Sequence, residues 1–229
     1  MTNNFDLFKE YLSIATPRMG RTINDDPDKY YVIELIKRGK DHPGSTGQNI
    51  HFKNYYIDSE SKIDRYKLEI IKLCDILGMR AYVSVNYKSF KQVMMDTCAT
   101  YADRIAKHEY KKPYNIFESC SGKYVDHSDR KWIIDLDLED EFGKFPKGYV
   151  DGLINIMHDC RPEGTKLFMK FPTKNGLHLI VSPFDRIQFM EKYKKFCDEN
   201  LYIYNENFLR DHIKENHLTL LYENLDEYN

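Results

Sequence analysis

Two carboxylates one residue apart, Asp135 and Asp137, follow the apolar run Trp132-Ile133-Ile134. Residues i and i+2 of a β-strand point to the same face, so both side chains would present their oxygens side by side. Magnesium and manganese are hard cations that prefer oxygen ligands of this kind. The spacing therefore predicts a divalent-metal site at the end of a buried strand.

A histidine follows in a second apolar segment, directly after an Asn-Gly pair. Asn175-Gly176 is a strong hairpin signal because both residues tolerate a positive φ, and a glycine at a hairpin end lets a ligand approach the backbone. His178 could donate a hydrogen bond to a phosphate oxygen, and Lys170 and Lys174 flank the hairpin with positive charge. Solvated acidic pairs and half-buried strand histidines are each common, so the prediction of a nucleotide site depends on their combination.

The elements that must position these residues follow from hydrophobic periodicity. From residue 131 onward the pattern predicts strand, helix, strand, strand, helix and strand, at 132–138, 149–160, 165–171, 177–182, 186–196 and 218–222. This is the β-α-β-β-α-β order of the ferredoxin-like fold. Its first and third strands are neighbours at the sheet centre, so we expect Asp135, Asp137 and His178 on one surface.

The first half of the chain reads as mixed α and β. Helices are predicted at 5–14, 60–77 and 89–107, and strands at 30–36, 50–57 and 80–85. The second helix is expected to end at Gly78, and Ser89 is expected to cap the third. The loop after the first strand carries basic residues that could follow a nucleic-acid backbone, although such runs are commonly only solvated: Lys37, Arg38 and Lys40.

Composition bounds the class of protein. With 229 residues, 41% of them hydrophobic, the chain can bury a substantial core. The net charge of −2 neither demands nor excludes nucleic acid. Five cysteines without a Cys-x-x-Cys pair argue against a disulfide scaffold and a structural zinc, and favour a reducing compartment. No apolar run reaches the roughly 20 residues that span a bilayer, so a cytoplasmic protein is expected.

These motifs together resemble those of the archaeo-eukaryotic primase superfamily, the primase-polymerases. Ile134-Asp135-Leu136-Asp137 matches the hydrophobic-Asp-x-Asp motif, and Gly176-Leu177-His178 matches the small-x-His motif, with glycine where serine is common. The third motif of the family supplies another carboxylate. Asp211 is the residue chosen here, with Glu215 and Glu223 as rivals.

The resemblance implies an α+β catalytic core. An N-terminal α/β subdomain (about 1–125) would pack on an RRM-like, ferredoxin-like subdomain (about 126–229), with the active site in the cleft between them. It further implies template-dependent nucleotidyl transfer, as a DNA primase and/or DNA polymerase, with Mg²⁺ or Mn²⁺ on Asp135, Asp137 and Asp211. The residues expected to bind the nucleotide are His178, Lys174, Gly176, Lys170 and Arg80.

The partners that the resemblance implies are a DNA template or primer-template and nucleoside triphosphates. A core without a zinc module or helicase segment is expected to act with a helicase or other replication proteins, as in a bacteriophage or mobile element, and then in the host cytoplasm.

Three other classes stay open. A non-catalytic RRM-like module that binds nucleic acid or a replication partner is favoured by the weak third motif. A rolling-circle nickase could share the scaffold, but it needs a His-x-His pair, and Ile180 occupies the second position of that pair. A nucleotidyl cyclase also uses two carboxylates, but its chemistry gives no special role to His178.

Overall fold

The computed structural model describes residues 1–14, 26–39, 47–113, 115–123, 130–137, 148–215 and 217–224. The helices in these ranges are α1 (Phe5–Ile14), α2 (Glu60–Leu77), α3 (Phe90–Ala106), α4 (Asn115–Lys123), α5 (Tyr149–His158), α6 (Arg186–Asn200) and α7 (Phe208–His212). The strands are β1 (Thr2–Asn3), β2 (Lys29–Lys37), β3 (Ile50–Ile57), β4 (Arg80–Ser84), β5 (Lys88–Ser89), β6 (Trp132–Asp137), β7 (Leu167–Pro172), β8 (Gly176–Val181), β9 (Ile213–Lys214) and β10 (Leu218–Glu223). The expected α+β class is confirmed, and no helix within the described ranges is long and apolar enough to cross a membrane.

The strands form two antiparallel sheets. The first has the order β1-β10-β4-β2-β3, with β5 paired to β2, so it contains strands from both ends of the chain. The second has the order β7-β8-β6-β9. The predicted adjacency of β6 and β8 is confirmed, because Asp135 lies opposite His178 and Asp137 lies opposite Gly176.

The prediction for the fourth strand of the second sheet was wrong. Residues 218–222 were predicted to complete that sheet, but β10 pairs with β4 in the first sheet, where Thr219 lies opposite Val83. The place beside β6 is taken by the two-residue strand β9, with Ile213 opposite Ile134. A strand of two residues leaves no periodic signal in the sequence, whereas β10 is buried along nearly its whole length and suits an inner position of the larger sheet.

The predicted helices agree with the structure, but two further helices, α4 and the five-residue α7, were missed. Gly78 ends α2 with a φ of 61°, and the Ser89 side chain accepts a hydrogen bond from the backbone of Gln92, as expected. The longer of the two missed helices is α4, whose glycine and serine content lowers its helix propensity. Buried Ile116 and Cys120, four residues apart, hold it against the first sheet.

Strand β6 is buried on both faces except at its end. Trp132, Ile134 and Leu136 pack in a core with α5 and α6. Ile133, on the opposite face, joins the core of the first sheet. The two-residue period that sends Ile133 toward the first sheet also directs Asp135 there, beyond the apolar part of the interface.

Two buried asparagines join the halves of the molecule. Asn86, at the end of the first sheet, bonds to both the backbone nitrogen and the backbone oxygen of Lys131, at 2.7 and 3.0 Å. Asn4 donates to the carbonyl oxygens of Pro172 and Leu220, both at 2.8 Å. Because each asparagine spans elements of both sheets, the two sheets are held in one fixed arrangement.

Candidate active site

The central pair of side chains is Asp135 with His178. Their strands, β6 and β8, are hydrogen-bonded neighbours, and the His178 Nε2 atom lies 3.1 Å from Asp135 Oδ1. Asp137 follows on the same strand face and is exposed. The arrangement agrees with the expectation that both carboxylates and the histidine share one surface.

Two residues outside the predicted set hold this pair in place. His178 Nδ1 lies 3.0 Å from the hydroxyl oxygen of Thr219, which is fully buried on β10 of the first sheet. His212 donates from Nδ1 to the backbone oxygen of Asp135 at 2.7 Å. The side chain and the backbone of Asp135 are therefore each fixed by a histidine.

The electrostatic surroundings favour the ionised form of Asp135. The hydrogen bond from His178 is the largest influence and lowers the pKa of the Asp135 carboxyl; partial burial opposes it. Electrostatic interactions with His178, Lys214 and His212 lower the pKa further. Asp135 is thus an anion at neutral pH, as a ligand for a hard cation must be.

A polar cavity opens over this pair where the two sheets meet. Its volume is about 450 Å³. The side chains that line it are Arg38, Arg80, Tyr82, Asp135, Asp137, Thr173, Lys174, Asn175, His178 and Leu220. The structure therefore brings together five of the predicted site residues, namely Asp135, Asp137, His178, Lys174 and Arg80, and adds Arg38 from the predicted basic loop.

The arginines come from the first sheet. Arg80, at the start of β4, forms an ion pair of 2.8 Å with Glu223, whose side chain is 2% exposed. Arg38, just after β2, lies with its Nη1 atom 3.5 Å from the Tyr82 hydroxyl. With Lys174 from the β7–β8 turn, three cationic groups line the same cavity as the two carboxylates.

Gly176 has a different backbone conformation from the one predicted. The β7–β8 hairpin is confirmed, but neither Asn175 nor Gly176 has a positive φ. The turn is instead closed by a hydrogen bond from the Thr173 nitrogen to the Gly176 oxygen, at 3.0 Å. A Cβ at Gly176 would collide with the carbonyl oxygen of Leu136 on β6, so close strand contact requires the glycine.

The predicted third carboxylate is not beside the other two. Asp211 is exposed on α7, and its carboxylate accepts hydrogen bonds from Asn205 and Arg210 at 3.3 and 3.1 Å. Of its rivals, Glu215 pairs with Arg130 and Arg186, and Glu223 is buried against Arg80. None of the three acidic residues lines the cavity.

Lys170 also points away from the cavity. It lies on β7 with its amine 3.4 Å from an oxygen of Asp151 on α5, and both side chains are largely exposed. Lys174, in the turn after the same strand, is the hairpin lysine that reaches the cavity. The two lysines are four residues apart, but the turn after β7 separates their positions.

Sequence reasoning missed Thr219, His212 and Tyr82. Thr219 was missed because β10 was assigned to the wrong sheet, and a threonine in an apolar strand carries no signal of its own. His212 stands next to Asp211 and was passed over for the carboxylate. Tyr82 lies two residues after Arg80 on β4 and therefore points to the same face, so the prediction that Arg80 faces the cleft implied the same for Tyr82.

The donor set fits a magnesium or manganese ion in one specific way. Within the part of the chain that the structure describes, no three histidine, cysteine, aspartate or glutamate side chains are grouped to hold a metal together. Magnesium, however, is commonly held by one or two carboxylates together with substrate phosphates and water. Asp135 and Asp137 supply those two carboxylates, and the cavity has room for a phosphate-bearing ligand beside them.

Comparisons of the chain with protein-family models, curated proteins and solved structures gave no match.

Proposed function

We propose that this protein joins nucleotides on a DNA template by a divalent-metal reaction, as a primase and/or a polymerase. The observation that carries the proposal is the shared cavity, which is lined by two carboxylates of one strand face, three cationic side chains and His178. That distribution matches a metal-bound triphosphate, which needs oxygen ligands at the metal and positive charge along the phosphates.

The acidic side of the cavity would hold the metal. Asp135 and Asp137 would each contribute carboxylate oxygen, and nucleotide phosphates would complete the coordination. A bound Mg²⁺ or Mn²⁺ supplies charge neutralisation at the phosphates and lowers the pKa of the attacking hydroxyl. His212 keeps the backbone of Asp135 fixed, so the carboxylate does not have to be ordered when the ligand binds.

The cationic side would orient the triphosphate. Arg80 and Arg38 present planar guanidinium groups suited to phosphate oxygens, and Lys174 adds a mobile point charge from the turn. Arg80 is already oriented by Glu223. His178 would move its Nε2 hydrogen bond from Asp135 to a phosphate oxygen, which would release the carboxylate for the metal.

Incorporation of labelled nucleotides tests the proposal. Purified protein would be given primed and unprimed DNA templates with labelled nucleoside triphosphates, in Mg²⁺ and in Mn²⁺. We expect metal-dependent incorporation that is lost in the Asp135→Ala/Asp137→Ala double variant and retained in Asp151→Ala, which removes an exposed carboxylate outside the cavity. No incorporation with either metal, or equal incorporation by the double variant, would contradict the proposal.

The position of Asp211 favours a second candidate, a non-catalytic module that binds nucleic acid or a replication partner. Among the described residues only two carboxylates line the cavity, and one of them is engaged by His178. Calorimetry with a nucleoside triphosphate separates the two candidates. The enzyme requires triphosphate binding that is strengthened by Mg²⁺ and weakened by Asp137→Ala, whereas the module predicts neither effect.

A further inference from the structure

One buried hydroxyl of the first sheet reaches into the candidate site. We infer that Thr219 is a positioning residue that fixes the tautomer and orientation of His178, so that the Nε2 proton faces Asp135 and the cavity. The part of this inference that concerns catalysis rests on the proposed function. The part that concerns the histidine depends only on the contacts of its two ring nitrogens.

Those contacts determine which nitrogen carries the proton. A carboxylate can only accept hydrogen bonds, so the nitrogen that faces Asp135 at 3.1 Å, Nε2, must carry a proton. In a neutral imidazole the other nitrogen, Nδ1, is then an acceptor. The Thr219 hydroxyl, 3.0 Å away, donates a hydrogen bond to Nδ1. Without that donor, Asp135 alone favours the Nε2-protonated tautomer, so the preference is weaker and the ring is no longer held at Nδ1.

The position of the hydroxyl is determined by the first sheet. Thr219 has no exposed surface, so its hydroxyl has no alternative partner in bulk water. Its strand is held on one side by pairing with Val83 and on the other by Asn4, which donates to the carbonyl of the next residue, Leu220. The first sheet therefore fixes the position of the Thr219 hydroxyl, and the hydrogen bond to this hydroxyl orients His178 of the second sheet.

The orientation of the His178 ring matters because cationic side chains line the same cavity. Arg80 and Tyr82 lie on β4, which pairs with the strand that carries Thr219. This hydrogen bond thus links His178 to the sheet from which Arg38 and Arg80, two of the three cationic groups of the cavity, come. Loss of the bond would leave both walls present but would let the imidazole turn between them.

Isosteric substitutions provide the test. Thr219→Val keeps the shape of the side chain and removes the hydroxyl, whereas Thr219→Ser keeps the hydroxyl and removes the methyl group. The matched control is Asn86→Ala, which also removes a buried hydrogen bond between the two halves but contacts Lys131 instead of His178. Thermal unfolding of each variant shows whether it is folded at the temperature of measurement.

The primary readout is the nitrogen-15 spectrum of labelled histidines at about pH 8.5, where an ordinary imidazole is neutral. We expect the His178 signals of the unsubstituted chain, Thr219→Ser and Asn86→Ala to show the Nε2-protonated tautomer. Thr219→Val should give a mixture of the two. Assignment uses a His178→Gln variant, which lacks the signals in question.

Nucleotide incorporation is the secondary readout. Thr219→Val should lower kcat/KM about 10- to 100-fold, the range found when a partner that orients a functional histidine is removed. Most of this change should appear in the KM for the nucleotide, and Thr219→Ser should restore it. The Asn86→Ala variant should unfold at a lower temperature without a change in KM.

The outcomes separate this inference from the proposed function. An Nε2-protonated His178 in Thr219→Val, with an unchanged KM, would overturn the inference even if that variant were less stable. A mixed tautomer in Thr219→Val supports the positioning role, whether or not the unsubstituted chain incorporates nucleotides. Absence of incorporation in the unsubstituted chain would therefore count against the enzyme and not against the role of Thr219.

Discussion

Two aspartates of this protein have similar local properties but different surroundings. The side chains of Asp135 and Asp211 are 33% and 39% exposed, and hydrogen bonds lower the carboxyl pKa of both. Asp135 is bonded to His178, which is 14% exposed and is held by a strand of the other sheet. Asp211 is bonded to its chain neighbour Arg210, which is 75% exposed.

The contrast shows that neither the residue type nor a lowered pKa marks a site in this fold. What distinguishes Asp135 is that its partner is fixed by tertiary contacts and that it faces a cavity with cationic groups from another sheet. Asp211 obtains its partners from residues close to it in the chain, and one of them, Arg210, is largely exposed. We therefore expect the two regions to respond differently to substitution.

The largest difference should appear in activity. Asp135→Asn keeps the size of the side chain and removes its charge, so metal binding at β6 should fail and nucleotide incorporation should fall about 100- to 1000-fold, as when one electrostatic stabilising group is lost. Asp211→Asn should leave incorporation within about twofold, since surface changes away from a site are usually near neutral. Equal losses of incorporation in the two variants would indicate that Asp211 also takes part in the reaction.

The next largest effect concerns the ion pairs of the two regions. Arg80→Met leaves Glu223 buried without its guanidinium partner, and breaking a buried pair in this way costs about 3–5 kcal/mol in the free energy of unfolding. Arg210→Met, which removes the exposed partner of Asp211, should cause no measurable change. Urea unfolding measures both, and a comparable loss in the two variants would contradict the distinction.

Strand contact beside Asp137 gives a smaller effect. Gly176→Ala would force β8 away from the Leu136 carbonyl, with a cost of about 1–3 kcal/mol by analogy with overpacked cores. The control is Gly122→Ala in α4, where a Cβ meets no atom within 4 Å and should stabilise by up to about 1 kcal/mol. If both substitutions stabilise the protein, the inferred contact between β6 and β8 is wrong.

The smallest effect is the pH dependence of stability. The pKa of Asp135 is lower in the folded protein than the roughly 3.9 of an unfolded chain, so its contribution is present above that value and is lost as the pH falls through the folded pKa. The difference in free energy of unfolding between the chain and Asp135→Asn should therefore shrink as the pH falls below about 5.

Salt provides the control for that experiment. In about 1 M salt the Debye length is roughly 3 Å, so the exposed partners of Asp211 should be screened, whereas the bond between Asp135 and His178 should persist. Asp211→Asn should then show no pH-dependent difference from the unsubstituted chain. A difference for Asp135→Asn that grows as the pH falls would contradict the lowered pKa.

Most of the local structure could be predicted, but the assembly of the sheets could not. Long periodic elements such as α2 and β2 follow from their apolar spacing. The assignment of β10 to the second sheet failed because strand partners are chosen by burial and by competition with other strands. The two-residue strand β9 lies beside β6 in its place, and the dipeptide Ile213-Lys214 is too short to predict a strand.

The grouping of Asp135, Asp137 and His178 on one surface could be predicted from residue patterns alone. The two-residue period of a strand puts the carboxylates on one face. The β-α-β-β-α-β order predicts that the strand of the histidine lies beside them, so these two patterns were sufficient. Tertiary structure decided the rest of the site. Arg38, Arg80 and Thr219 reach it only because the first sheet, which contains strands from both ends of the chain, docks against the second through a shared apolar core. The energy of that docking comes from burial and hydrogen bonds between residues far apart in the chain, and no spacing of residue types encodes it.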